Sequence, residues 1–126
     1  MPSRTRGGRD GLKEDDIKLM RAFYRALEPF EHIRRDMPMQ YVRTFMLVCI
    51  EPGLGVMEYA DRAGVSQTVM SRHLLDIGER NRHMEPGFGL VIKRQDPMNL
   101  RRWEVLLTEK GRQVARKMMR SLRVAV

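Results

Sequence analysis

The sequence predicts an α+β fold, mostly α-helical with one small β-hairpin, and three observations predict it. Residues 56–82 carry two helical patterns broken at a single glycine, Gly64. Two strand-like runs, 89–95 and 102–108, follow at close spacing and are rich in β-branched and aromatic residues. The other periodic segments, 12–35, 38–51 and 109–122, repeat their apolar residues at helical spacing. At 126 residues the chain has room for one domain with a modest core, expected over 12–126.

Residues 1–11 are polar, glycine-rich and basic, so a disordered, solvated tail is expected there. Over 12–35, Ile17, Met20, Tyr24, Leu27 and Ile33 form an apolar stripe, and Asp15 and Asp16 sit where acidic charge opposes the helix macrodipole. Pro29 should interrupt that helix near residues 26–28. Pro38 suits the first turn of a second helix, which places Val42, Phe45, Met46 and Cys49 on one face and ends at the Glu51-Pro-Gly segment. Two helices then follow, over 56–63 and 66–82. Ala60 lets them approach closely, Gly64 can take the left-handed conformation that ends the first, and Ser66 is a good N-cap for the second.

In that second helix Met70, Leu74 and Ile77 share the core face. Thr68, Arg72, Leu75 and Glu79 lie opposite, with Ser71 at the edge. Leu75 fits either a core edge or an outward contact. A loop over 85–89 leads into the hairpin, expected over 89–108, whose turn chemistry sits in Asp96, Pro97 and Asn99. Trp103 is expected to pack on the hairpin or the last helix. That helix, 109–122, has Val114, Ala115, Met118 and Leu122 on its apolar face and Arg112, Arg116, Lys117 and Arg120 on the other. A hairpin with a basic tip directly after a helix-turn-helix makes a winged helix.

The formal charge of +8 is uneven. Residues 1–65 hold eleven Lys/Arg against ten Asp/Glu, whereas residues 66–126 hold thirteen against six. The positive field therefore belongs to the half with the second helix of the pair, the hairpin and the last helix, as expected of a phosphate-binding face. Arginine outnumbers lysine nineteen to five, which suits bidentate phosphate or guanine contacts and equally suits a GC-rich genome.

Other chemistries find little support. No apolar run approaches the roughly 20 residues of a membrane span, and the charged N-terminus has no apolar segment behind it, unlike a secretory signal. A single cysteine excludes an internal disulfide framework and suits a reducing cytoplasm. Cys49 lies on an apolar helical face with no close basic residue, so a buried structural role is expected rather than a redox role. His32, His73 and His83 lack metal-ligand spacing, and no phosphate loop, dinucleotide turn or nucleophile elbow is present; no metal, no cofactor and no enzyme activity are expected.

Val65-Ser66, Val69-Met-Ser-Arg72, the Asp96-Pro-Met-Asn-Leu-Arg101 turn and Leu107-Thr-Glu-Lys-Gly111 together resemble the MarR family of bacterial transcription regulators, over roughly residues 39–118. Asn99 stands where that family often has a second wing aspartate, and His73 where an apolar residue is usual. The resemblance implies a homodimer built on the first and last helices, here through Met20, Phe23, Leu27, Met118 and Leu122. It further implies that Arg101 enters a minor groove, with Asp96 orienting it. A repressor is implied, released by a small-molecule effector whose identity the sequence does not give, in the bacterial cytoplasm at the nucleoid.

The residues themselves point to double-stranded DNA. Gln67, Thr68, Ser71 and Arg72 cluster at the helix end that meets base edges in helix-turn-helix proteins. Arg72 can pair with guanine and Gln67 with adenine, while Ser66 and Thr68 suit phosphates. Arg72 has a competing role as an ion pair to Asp76; its neighbours favour DNA. In the wing, Lys93, Arg94, Arg101 and Arg102 supply cations, with Arg101 and Arg102 on opposite strand faces. A dimer of this kind reads a pseudo-palindromic operator. Two other readings fit the same residues: a plasmid or phage replication or accessory DNA-binding protein, and a winged helix used for protein contacts, its basic face serving acidic partners or RNA.

Overall fold

A computed structural model describes residues 11–125; the expected basic tail lies almost wholly outside the described residues. Six helices and one hairpin follow in order: α1 (Glu14–Ala26), α2 (Glu28–Ile33), α3 (Met39–Ile50), α4 (Val56–Ala63), α5 (Gln67–Asp76), β1 (Val91–Asp96), β2 (Asn99–Leu107) and α6 (Glu109–Arg123). The strands pair antiparallel, from Val91 opposite Leu107 to Gln95 opposite Trp103, and then jump to Asp96 opposite Asn99. Leu100, Arg101 and Arg102 thus form a bulge in β2.

The expected 12–35 helix is two helices. Pro29 enters the first turn of α2, where a missing amide costs nothing, and the break falls at Leu27. α4 and α5 meet as the sequence implies. Gly64 has φ 68°, and the Val65 amide donates to the Ala60 carbonyl at 3.1 Å, closing the turn. The Ser66 hydroxyl accepts from the Val69 amide at 3.1 Å.

One boundary needs correction. The second helix of the pair stops at Asp76 rather than running to residue 82. Its last carbonyls are taken by incoming chain: Phe88 N donates to Asp76 O (3.1 Å), Leu90 N to Ile77 O (2.8 Å) and Gly89 N to Gly78 O (2.8 Å). This approach requires glycine, since a Cβ on Gly87 would collide with the Gly78 carbonyl.

The core joins every element. Phe30 and Phe45 meet edge to face at 5.5 Å, and Val48, Tyr59, Met70, Ile77, Leu90 and Val105 are fully buried around them. The buried Tyr59 hydroxyl donates to the Glu51 carbonyl (2.6 Å) and accepts from the Leu54 amide (3.3 Å), which fixes the turn before α4. The hairpin is tied to that turn, because Gly53 N donates to Val105 O (2.8 Å) and Val105 N to Leu54 O (2.9 Å). Its other end is rooted in α6. Thr108 caps α6 by accepting from Gly111 N (2.9 Å) while donating to Gly89 O (2.6 Å). Gly111 itself packs so closely on Leu90 that a Cβ would strike its carbonyl oxygen. Among the described residues no helix is long and apolar enough to cross a membrane.

Candidate nucleic-acid interface

Capping by Ser66 leaves the N-terminal end of α5 facing solvent, and Gln67, Thr68 and Arg72 are exposed there. Ser71 is half-buried on the edge of a cleft of about 540 Å³ between α5 and β1, whose other walls include Leu75, Glu79, Arg80 and Lys93. Among the described residues Arg72 makes no ion pair. The competing role expected of it fails for a clear reason, because Asp76 is already engaged: Tyr41 Oη donates to its carboxylate at 2.6 Å, and Arg82 lies 3.5 Å away. Leu75 is exposed on the outer face, not at the core edge.

Behind α5, Tyr41 stacks edge to face on His73 at 5.5 Å and on Phe88 at 5.9 Å. Burial, and then the Asp76 carboxylate, hold the Tyr41 hydroxyl above its ordinary pKa. Burial pushes the His73 imidazole below its ordinary value. His73 therefore packs as an aromatic group behind α5.

The wing separates its cations. Arg94 Nε lies 3.1 Å from Glu104, and the Lys93 ammonium sits over the Trp103 ring, 5.8 Å from its centre. Trp103 thus packs on the hairpin, about half exposed. Arg102 is turned inward, reaching Glu58 at 3.0 Å, the Gly53 carbonyl at 3.3 Å and Asp96 at 3.6 Å. Glu58 also accepts from the Gly55 amide (2.8 Å); that bond first, and Arg102 second, hold its carboxyl below the usual range. Arg102 is thus a brace between wing and helix-turn-helix. The sequence places Arg102 among the wing cations, on the strand face opposite Arg101, and does not single out Glu58 at all.

Arg101, exposed on the other face, makes no ion pair among the described residues. The residue that shapes its backbone is Asn99, whose side-chain oxygen accepts from the Arg101 amide at 3.1 Å. Asp96 instead accepts from the Met98 amide (2.9 Å) and faces Arg102, which corrects the expectation that it orients Arg101.

The first and last helices pack on each other, and an apolar surface remains on them. Met20 and Phe23 are exposed, joined by Leu19, Tyr24 and Met119. Leu27 and Leu122 are half-buried against the core. Met118 is 4% exposed and belongs to the core, which corrects its assignment to a dimer surface. One face of α6 cannot serve both roles: Gly111, Val114 and Met118 all point inward. Cys49 is half-buried, and burial pushes its thiol up to about 11, as suits a packing residue. Among the described residues no cluster of histidine, cysteine and carboxylate could hold a metal ion.

No protein-family model matches this sequence, and neither does any curated protein. Solved structures do match the fold. A MarR-like transcriptional regulator from Thermotoga maritima superposes with a TM-score of 0.62 at 20% identity, over 72% of this chain and 59% of that one. FabT of Streptococcus pneumoniae, solved in complex with DNA, superposes with a TM-score of 0.57 at 16% identity, over 71% of this chain and 57% of that one. CouR of Rhodococcus jostii, bound to p-coumaroyl-CoA, gives 0.58 at 19% identity, over 94% and 71%. The chain thus spans less than two thirds of the length of the first two. With its capped α5, bulged hairpin and packed terminal helices, the chain has the winged helix-turn-helix fold of the MarR-type transcriptional regulators.

Proposed function

We propose that this protein is a sequence-specific, double-stranded-DNA-binding transcriptional regulator that acts as a homodimer and represses by occupying its operator. The observation that carries this reading is the N-terminal end of α5. Gln67, Thr68 and Arg72 stand exposed beside a basic hairpin, and Asp76, four residues beyond Arg72, is held by Tyr41 and Arg82. Gln67, Ser71 and Arg72 read base edges in the major groove, with Ser66 and Thr68 at the phosphates and Arg101 in the adjacent minor groove. Lys93 and Arg94 add long-range attraction, and Arg102 holds the wing in place.

The exposed Leu19, Met20, Phe23 and Tyr24 of α1, with Met119 of α6, supply the surface for a second copy. Two-fold symmetry then places half-sites about one helical turn, or roughly 34–36 Å, apart. A small-molecule effector is part of this reading, since CouR was solved with an acyl-CoA bound.

Selection from a random pool of duplex DNA at two salt concentrations tests it. Recovery of a two-fold symmetric motif, with retention falling steeply as salt rises, is the expected result. Salt-sensitive retention without a motif would reduce the protein to a nonspecific basic winged helix and favour the replication-accessory reading. No retention would favour the protein-contact reading.

A further inference from the structure

The tip of the wing is apolar, and nothing in the reading above uses it. Met98 is 92% exposed and Leu100 67% exposed, flanking Asn99 at the far end of the hairpin. Water is a poor environment for two neighbouring aliphatic side chains, and no part of the described chain covers them. Their surroundings are unusual as well. The only acid of the turn, Asp96, is drawn inward by the Met98 amide and Arg102, so the tip presents no free carboxylate. Arg101, next to Leu100, makes no ion pair among the described residues. The turn is also stiff, because Pro97 fixes one dihedral, Asp96 and Asn99 each accept a backbone amide, and Gln95 Nε2 donates to the Leu100 carbonyl at 3.2 Å.

An apolar point beside an unpaired arginine fits one occupant better than others, a base step of DNA opened from the minor groove. Methionine, leucine and proline are among the side chains that part stacked bases in this way. The reach agrees. From Val105, where the hairpin leaves the body, to Asn99 is six residues of bulged strand, or roughly 15–20 Å. Half a helical turn of B-DNA, which separates a major groove from its neighbouring minor groove, is about 17 Å.

Resting on the DNA-binding reading above, we propose that Met98, buttressed by Leu100, is a wedge that enters a minor-groove base step beside each half-site and kinks the duplex. Arg101 holds the flanking phosphates and groove floor, and Met98 supplies the unstacking. The protein then reads deformability at a position where it makes no base-edge hydrogen bond, so flexible pyrimidine–purine steps are favoured under the wing.

The experiment uses the full chain and a duplex of about 40 base pairs carrying the selected motif, with 2-aminopurine at candidate steps and a dye at each end for energy transfer. The wild-type protein should raise 2-aminopurine fluorescence at one step per half-site and draw the ends together, by a kink of roughly 20–90°. Met98→Ser with Leu100→Ser should abolish both signals even at saturating protein, because short polar side chains do not part stacked bases. Arg101→Ala should weaken binding and keep the unstacking signal at saturation. Binding by the wild type without bending or unstacking overturns the wedge and leaves the regulator reading intact. So does a bend that survives the double serine variant but not Arg101→Ala. Failure to bind any duplex overturns both.

Discussion

Helix α5 and the wing both present polar and basic side chains and use them differently. On α5 the polar groups at the N-terminal end reach solvent without ion pairs among the described residues. On the hairpin Arg94 is spent on Glu104, Arg102 on Glu58 and Asp96, and Lys93 on the Trp103 ring; of the four, Arg101 alone lacks such a partner. Counting basic residues therefore misjudges the wing. A guanidinium already held by a carboxylate gives up that contact when it takes a phosphate, which lowers the gain by about 0–1 kcal/mol for an exposed pair. On the DNA-binding function proposed above, the helix reads and most of the hairpin stays rigid.

The severest way to break this contrast is to attack the wing's root. Gly111→Ala would drive a Cβ into the Leu90 carbonyl at the start of α6, overpacking by about 3 kcal/mol. A fall in melting temperature of roughly 10 °C is expected, read by circular dichroism. A change under about 2 °C would mean that α6 and the hairpin are not locked together.

Arg72→Ala should leave the melting temperature unaltered and cost about 2 kcal/mol of specific binding, or roughly thirtyfold in affinity, with preference lost at one base pair. Titrating the selected motif against single-base variants checks this. Equal loss on every sequence would reassign Arg72 to phosphate.

The wing cations separate next. Arg101→Ala should weaken binding to all sequences by about 1 kcal/mol and reduce the salt slope by about one. Arg102→Ala should change affinity less, and instead loosen the hairpin, seen as faster amide exchange at Gly53 and Val105. If the two variants behave alike, the inward turn of Arg102 has no functional meaning.

The smallest effect lies behind the helix. Burial depresses the His73 pKa, so the unfolded chain binds a proton that the folded chain refuses. Stability from this group is fully present above the unfolded value of 6.5 and declines as pH falls below it, toward the depressed folded value. Thermal melts across that window should show the decline, and His73→Gln should flatten it.

The parts of the fold legible in the sequence were those fixed over a few residues. Gly64, with φ 68°, and Ser66, capping Val69, are local devices, and the helix break at Leu27 follows from Pro29 two positions on. The early end of α5 was not legible, because the helical pattern continues to Ile77 and what stops it is the return of Gly87–Leu90 from beyond a loop. The same holds for Arg102, whose partner Glu58 lies 44 residues away. Met118 was misplaced for another reason: a periodic stripe tells which residues are apolar, not whether a neighbouring helix or a second copy covers them. The core-facing Gly111 and Val114, two turns and one turn earlier, were the available clue. For the candidate interface, sequence pointed to α5 and the wing, while the different partners of the four wing cations required three dimensions.

The junction at Thr108 makes α6 and the hairpin a single lever. No linker separates Leu107 from Glu109, and Gly111 is wedged against Leu90 at the pivot. The helix extends about 22 Å on one side of that fulcrum, and the strands extend a comparable length on the other. A tilt of about 10° imposed on α6 by whatever grips its far end would swing the tip by roughly 3–4 Å, about one base-pair step. If the protein binds DNA as proposed, torque applied at the C-terminal helix and strong enough to shift the Gly53–Val105 and Arg102–Glu58 ties would move the wing along the groove, without any residue of the tip being touched.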